Sequence, residues 1–361
     1  DGGHPVIANL LSKLFDGAPF TVFDSERSIR RITPAIIARG MWYLIRSGSI
    51  SVAYSAALVC SVQPKIVVTF IDNSRLFQRV ARLLKARGPR FLAIQNGVRM
   101  LARDNPPGSP QIFHSEFACF GDHDVEQYRA HGTCVENFYP IGSLRDSLYR
   151  TARATTKVAK LYDLCLISQI KPQHYKTYPR TMRSLVLLAE HTRRYCETHG
   201  TSLCVAARRH PDHDPRLFEW EQNWFREHIG DWVDVIPNDP GAYTSYSLVD
   251  QSRVSLALHT TLLYEGFGRG NRVLSCNFTG DPLYSFPAGS PWALDFADYE
   301  TFEKRLSSLL YMSEEEHVRS AGHWPAYLVA YDPQQPAHEF LRRIIREAVL
   351  GAPVSATTDH A

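Results

Sequence analysis

The sequence predicts an α/β protein with two domains, each a parallel sheet covered by helices on both faces. Its 361 residues are enough for two domains of ordinary size. Short apolar runs alternate with amphipathic segments in both halves of the chain. These runs are continuously apolar, as in strands that are buried on both faces. Together the observations favour two Rossmann-like domains.

The first predicted domain covers residues 1–150. Its apolar runs predict strands over 65–71, 91–94 and 117–120. The segments between them predict helices over 34–46, 75–87 and 124–131. Pro34 lies near the first turn of its helix, and Gly132 ends the last one, as is typical of these residues.

The second predicted domain covers residues 161–335, after a polar linker at 151–160. Its apolar runs predict strands over 162–167, 202–207 and 254–258. Its longest predicted helices cover 182–198 and 261–268. A C-terminal helix over 336–350 follows, and we expect the small, polar tail 351–361 to be disordered.

Composition excludes several classes of protein. The formal net charge is only +3, which argues against a duplex nucleic-acid partner. The seven cysteines are scattered without a CxxC pair, so we expect reduced thiols and a cytoplasmic location. No apolar stretch is long enough to cross a bilayer. The sequence begins at Asp1 without methionine, so we expect it to be part of a longer polypeptide.

Two strand ends in the second domain suit an anionic ligand. The apolar run 203–207 ends in Arg208, Arg209, His210 and Pro211, which combine fixed and switchable positive charge. In open α/β sheets, ligands bind beyond the carboxyl ends of strands. The run 254–258 ends in His259, Thr260 and Thr261 at the start of a helix that includes Glu265. Backbone N–H groups and hydroxyls at such a helix start form an anion site. These features indicate an enzyme that uses a nucleotide.

Other polar side chains follow predicted strands and are candidate substrate contacts. Those of the first domain are Gln95, Asn96, Gly97 and Arg99, and those of the second are Ser168 and Gln169. Arg99 could bind a carboxylate bidentately. Asn-Gly is also a common turn signal, and Thr260 could serve only as a helix cap.

The order of these motifs resembles GT-B glycosyltransferases that use CMP-activated 2-keto acid sugars. The first half carries 91-FLAIQNGVR-99, 117-FACFGD-122 and 139-YPIGS-143, and the second carries 209-RHP-211 and 259-HTTLLYE-265. The group includes bacterial sialyltransferases and the Kdo transferases of capsule and O-antigen. The resemblance implies two Rossmann-like domains that face each other across a cleft. It also implies that the His-Pro pair and the Thr-rich helix start hold the CMP.

One position departs from the sialyltransferase pattern. That branch has an acidic pair before the glycine, whereas this chain has Gln95 and Asn96, which cannot act as a base. The Kdo branch is more similar, because it includes retaining enzymes with a carboxylate nucleophile. The candidate carboxylates are Asp72, Glu116, Asp122, Asp212 and Asp214. Asp72 has an alternative role as a helix cap.

The resemblance therefore implies transfer of Kdo from its CMP donor to a bacterial surface glycan, an O-antigen or a capsule. It implies no metal and no cofactor, because basic groups and helix N-termini stabilise the leaving phosphate. We expect a lipid-linked saccharide acceptor and peripheral contact with the inner face of the cytoplasmic membrane. Arg27, Arg30, Arg31 and Trp42 are candidates for that contact. Further glycosyltransferase modules could be joined in the same polypeptide.

Two alternatives stay open. The first is a transferase of glycerol or ribitol phosphate from a CDP-alcohol, although such enzymes usually have a histidine where this chain has Asn96. The second is a non-catalytic module that binds a nucleotide or a glycan. The amides at positions 95 and 96 favour this second reading.

Overall fold

The computed structural model describes residues 14–15, 32–86, 88–153 and 158–350. The chain forms two units. The first consists of Asp1–Asn96, Asp104–Leu148 and Ala330–Ala361, and the second of Gly97–Arg103 and Tyr149–Val329. The segment 97–103 thus belongs to the second unit, and the C-terminal helix to the first. The predicted tail 351–361 and the arginines 27, 30 and 31 lie outside the described residues.

The first unit contains a parallel sheet whose strands follow each other in chain order. They are β1 (Ile66–Thr69), β2 (Arg90–Ile94), β3 (Phe113–Cys119) and β4 (Cys134–Pro140). Leu92 lies opposite Glu116, and Phe117 lies opposite Phe138. The side chains of 91–94 are all buried, as the continuous apolar run predicted.

Two helices precede the first sheet in the chain. The helices of the first half are α1 (Pro34–Ser47), α2 (Ile50–Val62), α3 (Arg75–Leu84), α4 (Leu101–Asp104), α5 (Asp122–Ala130) and α6 (Leu144–Ala152). Thr33 caps α1 by accepting a hydrogen bond from the N–H of Ile36, and Gly48 ends it at a φ of 63°. The sequence did not predict α2. Its Val52 and Ala56 pack against α3 and the Phe91 side chain, so tertiary contacts stabilise it.

The second unit contains a parallel sheet in the order β10-β9-β8-β5-β6-β7. Its strands are β5 (Tyr162–Ile167), β6 (Leu203–Ala206), β7 (Asp234–Ile236), β8 (Ser252–Ala257), β9 (Arg272–Cys276) and β10 (Ala293–Leu294). The remaining helices are α7 (His174–Thr177), α8 (Pro179–His199), α9 (Pro215–Ile229), α10 (Thr244–Gln251), α11 (Thr261–Gly268), α12 (Tyr299–Tyr311), α13 (Glu314–Ala321), α14 (Trp324–Leu328) and α15 (Ala337–Leu350). A short 3₁₀ turn covers Pro282–Tyr284.

The return of the chain to the first unit depends on Gly142. The N–H of Ala330 donates to the Phe120 carbonyl at 2.8 Å, just beyond β3. Gly142 has a φ of 91°, and a Cβ there would overlap the carbonyl oxygen of Ala330. Only glycine allows both the backbone conformation and the close approach. No helix in the described part of the chain is long and apolar enough to cross a membrane.

Candidate functional site

The strand order of the second sheet reverses between β5 and β8. From β5 the chain proceeds outwards through β6 and β7, whereas β8, β9 and β10 lie on the other side. Such a reversal opens a crevice beyond the carboxyl ends of the two central strands, where ligands bind in this class of sheet. Ser168 and Gln169 follow β5 there, and His259 follows β8.

Gln169 joins these two strand ends. Its Oε1 accepts hydrogen bonds from the N–H groups of Leu258 at 2.8 Å and His259 at 3.2 Å. Its Nε2 donates to the His259 carbonyl. The amide of Gln169, which the sequence predicted to contact substrate, is therefore hydrogen-bonded within the protein. It links the loop after β5 to the loop after β8.

The first turn of α11 has the form of an anion site. Thr260 is its N-cap in an extended conformation, and its side chain makes no capping hydrogen bond within the described part of the chain. The N–H of Leu263 donates to the Thr260 carbonyl at 3.0 Å, whereas the N–H groups of Thr261 and Leu262 before it have no acceptor within the helix and suit a ligand. Both Thr260 and Thr261 are only half-buried.

The segment 97–103 lies against the start of α11. The N–H of Val98 donates to Oγ1 of Thr261 at 3.1 Å. A Cβ at Gly97 would lie 2.9 Å from the same hydroxyl, so a side chain there would displace it. Nη1 of Arg99 lies 4.0 Å from the same Cβ position. Three residues that were predicted separately as substrate contacts, Gly97, Arg99 and Thr261, are thus neighbours.

A buried glutamate holds the cationic loop after β6. Oε1 of Glu221 accepts the N–H of Arg208 at 2.9 Å and the hydroxyl of Ser168. Its Oε2 lies 3.8 Å from the guanidinium of Arg209. Burial raises the pKa of Glu221. Sequence reasoning missed this residue, although its position one turn before the buried pair Trp224 and Phe225 places it on the apolar face of α9.

The two aspartates beyond the His-Pro pair have different surroundings. Asp214 is the N-cap of α9 and accepts the N–H of Leu217 at 3.3 Å. Asp212 is 81% exposed in its side chain, and its N–H donates to Nδ1 of His210 at 3.2 Å. The predicted catalytic candidate Asp214 therefore has a capping role, while Asp212 lies on the surface of the loop.

The polar residues at the strand ends of the first unit bind one another. Asp72 is fully buried, and it accepts the N–H of Asn96 at 3.3 Å and the Tyr128 hydroxyl at 3.5 Å. The cap of α3 is Ser74 rather than Asp72. Gln95 donates to Asp124 at 2.8 Å.

The same amide of Gln95 also accepts the N–H of Phe120 at 3.0 Å. With only 1% of its surface exposed, Gln95 ties β2 to the end of β3. The structure therefore gives this predicted substrate contact a structural role, because both ends of its amide are occupied inside the fold.

The remaining acidic candidates differ in burial and in hydrogen-bond partners. Glu116 lies in the middle of β3 and not at its carboxyl end. The guanidinium of Arg90 donates two hydrogen bonds to its carboxylate, at 2.7 and 2.5 Å. The Tyr139 hydroxyl donates to it at 3.1 Å, and burial, with this carboxylate nearby, raises the pKa of Tyr139 to about 12. Asp122 is exposed at the start of α5. Glu265 is buried and accepts the Tyr246 hydroxyl at 2.8 Å.

Among the described residues, no group of three His, Cys, Asp or Glu side chains could hold a metal ion. The seven cysteines are free thiols, and five of them are buried in the two cores.

Comparison with solved structures shows the fold. A structure described as "putative UDP-N-acetylglucosamine 2-epimerase" from Listeria monocytogenes is similar over 99% of this chain and 88% of its own, with 14% identity and a TM-score of 0.55. The MnaA–UDP structure from S. aureus is similar over 99% and 90%, with 10% identity and a TM-score of 0.57. The predicted α/β fold of two Rossmann-like domains, the GT-B class, is confirmed.

Comparison of sequences shows the family. No curated protein sequence matches the chain. A family model described as "putative O-antigen biosynthesis protein" matches residues 138–342, which is more than half of the chain and most of the second unit. The chain belongs to this family of O-antigen biosynthesis proteins.

Proposed function

We propose that this protein is a glycosyltransferase that takes a sugar from a nucleotide-activated donor and adds it to an O-antigen glycan. The observation that carries the proposal is the edge of the second sheet where its strand order reverses. There the start of α11 and the loop Arg208–Pro211 supply N–H groups, hydroxyls and positive charge. These groups suit the phosphate of a leaving nucleotide.

Two further observations support a nucleotide donor. The family is one of O-antigen biosynthesis, in which glycans are built from activated sugars. The S. aureus protein with a similar fold binds UDP in its structure. A nucleotide in the second unit of this chain would be consistent with both.

For the donor we propose CMP-Kdo, on the basis of the sequence resemblance. Nε2 of His210 and the hydroxyls of Thr260 and Thr261 would donate hydrogen bonds to the phosphate of the leaving CMP. In a retaining reaction, a carboxylate attacks the anomeric carbon while the bond to the CMP oxygen breaks. The acceptor hydroxyl then attacks the anomeric carbon, the bond to the carboxylate breaks, and the released carboxylate takes the proton of the hydroxyl. No metal or cofactor takes part in this proposal.

Asp122 and Asp212 are the carboxylates that we propose for this step. Both are exposed and follow the carboxyl end of a strand, Asp122 after β3 and Asp212 after β6. The carboxylates of Asp72, Glu116 and Asp214 already accept hydrogen bonds that hold their own unit together. We therefore expect their replacement to affect folding first.

The acceptor that we propose is a saccharide linked to lipid, which requires contact with a membrane. Helix α1 exposes Ile37, Met41, Leu44 and Ile45, which recur every three or four residues and so share one side. Trp42 is 55% exposed, and the Arg46 guanidinium lies 5.7 Å from its ring centroid. An apolar helix side with an arginine beside it suits the interface of an anionic membrane.

The test is a transfer assay with defined donors. The purified protein is incubated with a lipid-linked O-antigen acceptor and, separately, with CMP-Kdo, CMP-sialic acid, UDP-N-acetylglucosamine and CDP-glycerol. Mass spectrometry of acceptor and protein identifies any added group. We expect acceptor extended by one sugar, and with CMP-Kdo a protein adduct of sugar mass on Asp122 or Asp212.

Other products would overturn parts of the proposal. If the acceptor is extended only with UDP-N-acetylglucosamine, the protein is still a glycosyltransferase but CMP-Kdo is not its donor. Transfer of glycerol phosphate would identify a CDP-alcohol enzyme. Conversion of the UDP-sugar without any acceptor, or binding of nucleotides without turnover of any donor, would contradict glycosyl transfer.

A further inference from the structure

Cationic side chains collect beyond β5 and β6, where Lys171 and His174 lie near the predicted contact residue Arg208. These strands are parallel neighbours, with Ile167 opposite Ala206. Lys171, four residues after β5, and Arg208, two residues after β6, therefore leave the sheet at the same edge. The N–H of His174 donates to the Lys171 carbonyl at 2.9 Å, which places this histidine on the same turn.

A second arginine reaches the same place from the segment 97–103. Nη1 of Arg103 donates to the Tyr284 hydroxyl at 3.1 Å. Its guanidinium lies 6.0 Å from the ring centroids of both Tyr178 and Tyr284. The Tyr178 ring in turn lies 5.2 Å from the His174 ring. We refer to Arg103, Lys171, His174 and Arg208 as the cationic cluster.

The positive charges of the cationic cluster repel one another. Burial lowers the pKa of Lys171, and the nearby Arg208 and Arg209 lower it further. Burial also lowers the pKa of His174, and Lys171, Arg208 and Arg103 add to that effect. Like charges that are held together in a partly buried site favour the neutral forms.

Acidic groups compensate the charges of Lys171, His174 and Arg208 only in part, through the buried Glu221, which attracts Arg208 and accepts its backbone N–H. Within the described ranges of the chain, no carboxylate lies within ion-pair distance of Lys171, His174 or Arg208. Nδ1 of His174 is buried and has no hydrogen-bond partner among the described residues. An anionic ligand would offset the repulsion and supply the missing acceptor.

We propose that the cationic cluster is a subsite for a second anionic group of the donor, in addition to the phosphate at the start of α11. The inference rests on the proposed function, because it places a nucleotide at that helix. The chemistry is that of carboxylate or phosphate oxygens attached next to the nucleotide phosphate. Two sources have it: the carboxylate of a 2-keto acid sugar, and the second phosphate of a nucleoside diphosphate.

The test compares ligand pairs in which one member carries a second anionic group, a phosphate in the nucleoside diphosphates or the carboxylate of an attached sugar in CMP-sialic acid. Dissociation constants are measured by calorimetry for CMP and CDP, for UMP and UDP, and for CMP and CMP-sialic acid. Each pair is measured with the native protein and with Lys171→Gln and Arg208→Gln. Lys176→Gln is the matched control, because Lys176 is exposed on the same short helix as His174. Thermal unfolding of each variant checks that it folds.

We expect the second anion to tighten binding to the native protein by about tenfold or more in at least one pair, as a charge-assisted contact would. In Lys171→Gln and Arg208→Gln this gain should fall at least about fivefold. Lys171→Gln should change monophosphate binding less than that, whereas Arg208→Gln, in the loop proposed to face the first phosphate, should weaken the monophosphate as well. Lys176→Gln should keep the full gain. The pair that responds identifies the source, a phosphate for CDP and UDP or a carboxylate for CMP-sialic acid.

Three results would overturn the inference. In the first, nucleotides bind but no pair shows a gain from the second anion. In the second, the gain is present and both cluster variants keep it, so the proposed function survives without this subsite. In the third, no nucleotide binds to the folded native protein, which removes the proposed function as well.

Discussion

Glu221 shows how a single buried residue determines the geometry of the candidate site. It is fully buried on α9, yet its carboxylate accepts hydrogen bonds from Ser168 after β5 and Arg208 after β6. The positions of two loops thus depend on a helix that follows them both in sequence. Burial raises the pKa of this carboxyl, and the hydrogen bonds from Ser168 and Arg208 offset that effect only in part.

At the same scale, we predict that His210→Ala reduces the rate of sugar transfer at least about tenfold. The change removes a proposed phosphate contact, and tenfold corresponds to about 1.4 kcal/mol of transition-state binding. The measurement is kcat/KM with the best donor of the transfer assay. His213→Ala is the control, because this exposed ring lies only 5.7 Å from His210. Equal rates for both variants would remove His210 from the site.

Sequence patterns located the candidate residues better than they explained them. Gln95 and Gln169 stand at strand ends, where the apolar runs predicted them. Their partners could not be predicted, because Asp124 follows Gln95 by 29 residues and Leu258 follows Gln169 by 89. The sequence therefore predicts that both amides contact a substrate, whereas the fold uses them to join neighbouring segments of the chain.

Among the elements, α1 has an apolar side that the described fold leaves exposed. We predict that Ile45→Asp weakens binding to vesicles of anionic lipid about tenfold or more. Ile45 is 82% exposed, and moving an isoleucine side chain out of water contributes about 1.5–3 kcal/mol. Flotation with vesicles measures the bound fraction. Val318→Asp, on an exposed apolar residue of α13, should bind like the native protein.

Flotation of the native protein decides what the result means. If it binds vesicles and Ile45→Asp binds equally well, α1 is not the contact. If the native protein does not float with anionic vesicles at all, the proposed membrane contact is wrong.

Helix α15 is attached to the first unit through a histidine. Nδ1 of the buried His338 lies 2.8 Å from the Ser147 hydroxyl. Burial lowers its pKa, which the nearby Arg342 lowers further and Glu339 partly restores. Between the ordinary pKa of about 6.5 and the lower folded value, the unfolded chain therefore binds more protons.

We predict that the contribution of His338 to the free energy of unfolding is constant above about pH 6.5. Below that pH the free energy of unfolding falls as the pH decreases, because the unfolded chain binds the additional proton. One such proton contributes a slope of at most about 1.4 kcal/mol per pH unit. Urea unfolding at several pH values measures it. His338→Gln should have a shallower slope, and His323→Gln, on an exposed ring, should keep the native one. Identical slopes in all three proteins would contradict the prediction.

At the scale of the whole molecule, the alternation of apolar and amphipathic segments predicted the fold well. The strands at 66–69, 90–94 and 203–206 and the helix at 261–268 lie where the sequence indicated them. The pattern failed for α2, whose run of β-branched and small residues has no polar side. It also could not show that the chain returns to the first unit at Ala330, because that depends on contacts with Phe120 and Gly142, about 200 residues earlier.

The central claim is that a nucleotide phosphate binds the second unit where its strand order reverses. A crystal structure of the protein with CMP, and one with UDP, test it most directly. The account predicts phosphate oxygens about 3 Å from the first N–H groups of α11, with the loop Arg208–Pro211 beside them. A nucleotide bound elsewhere in either crystal, with this helix start filled only by solvent, would contradict it.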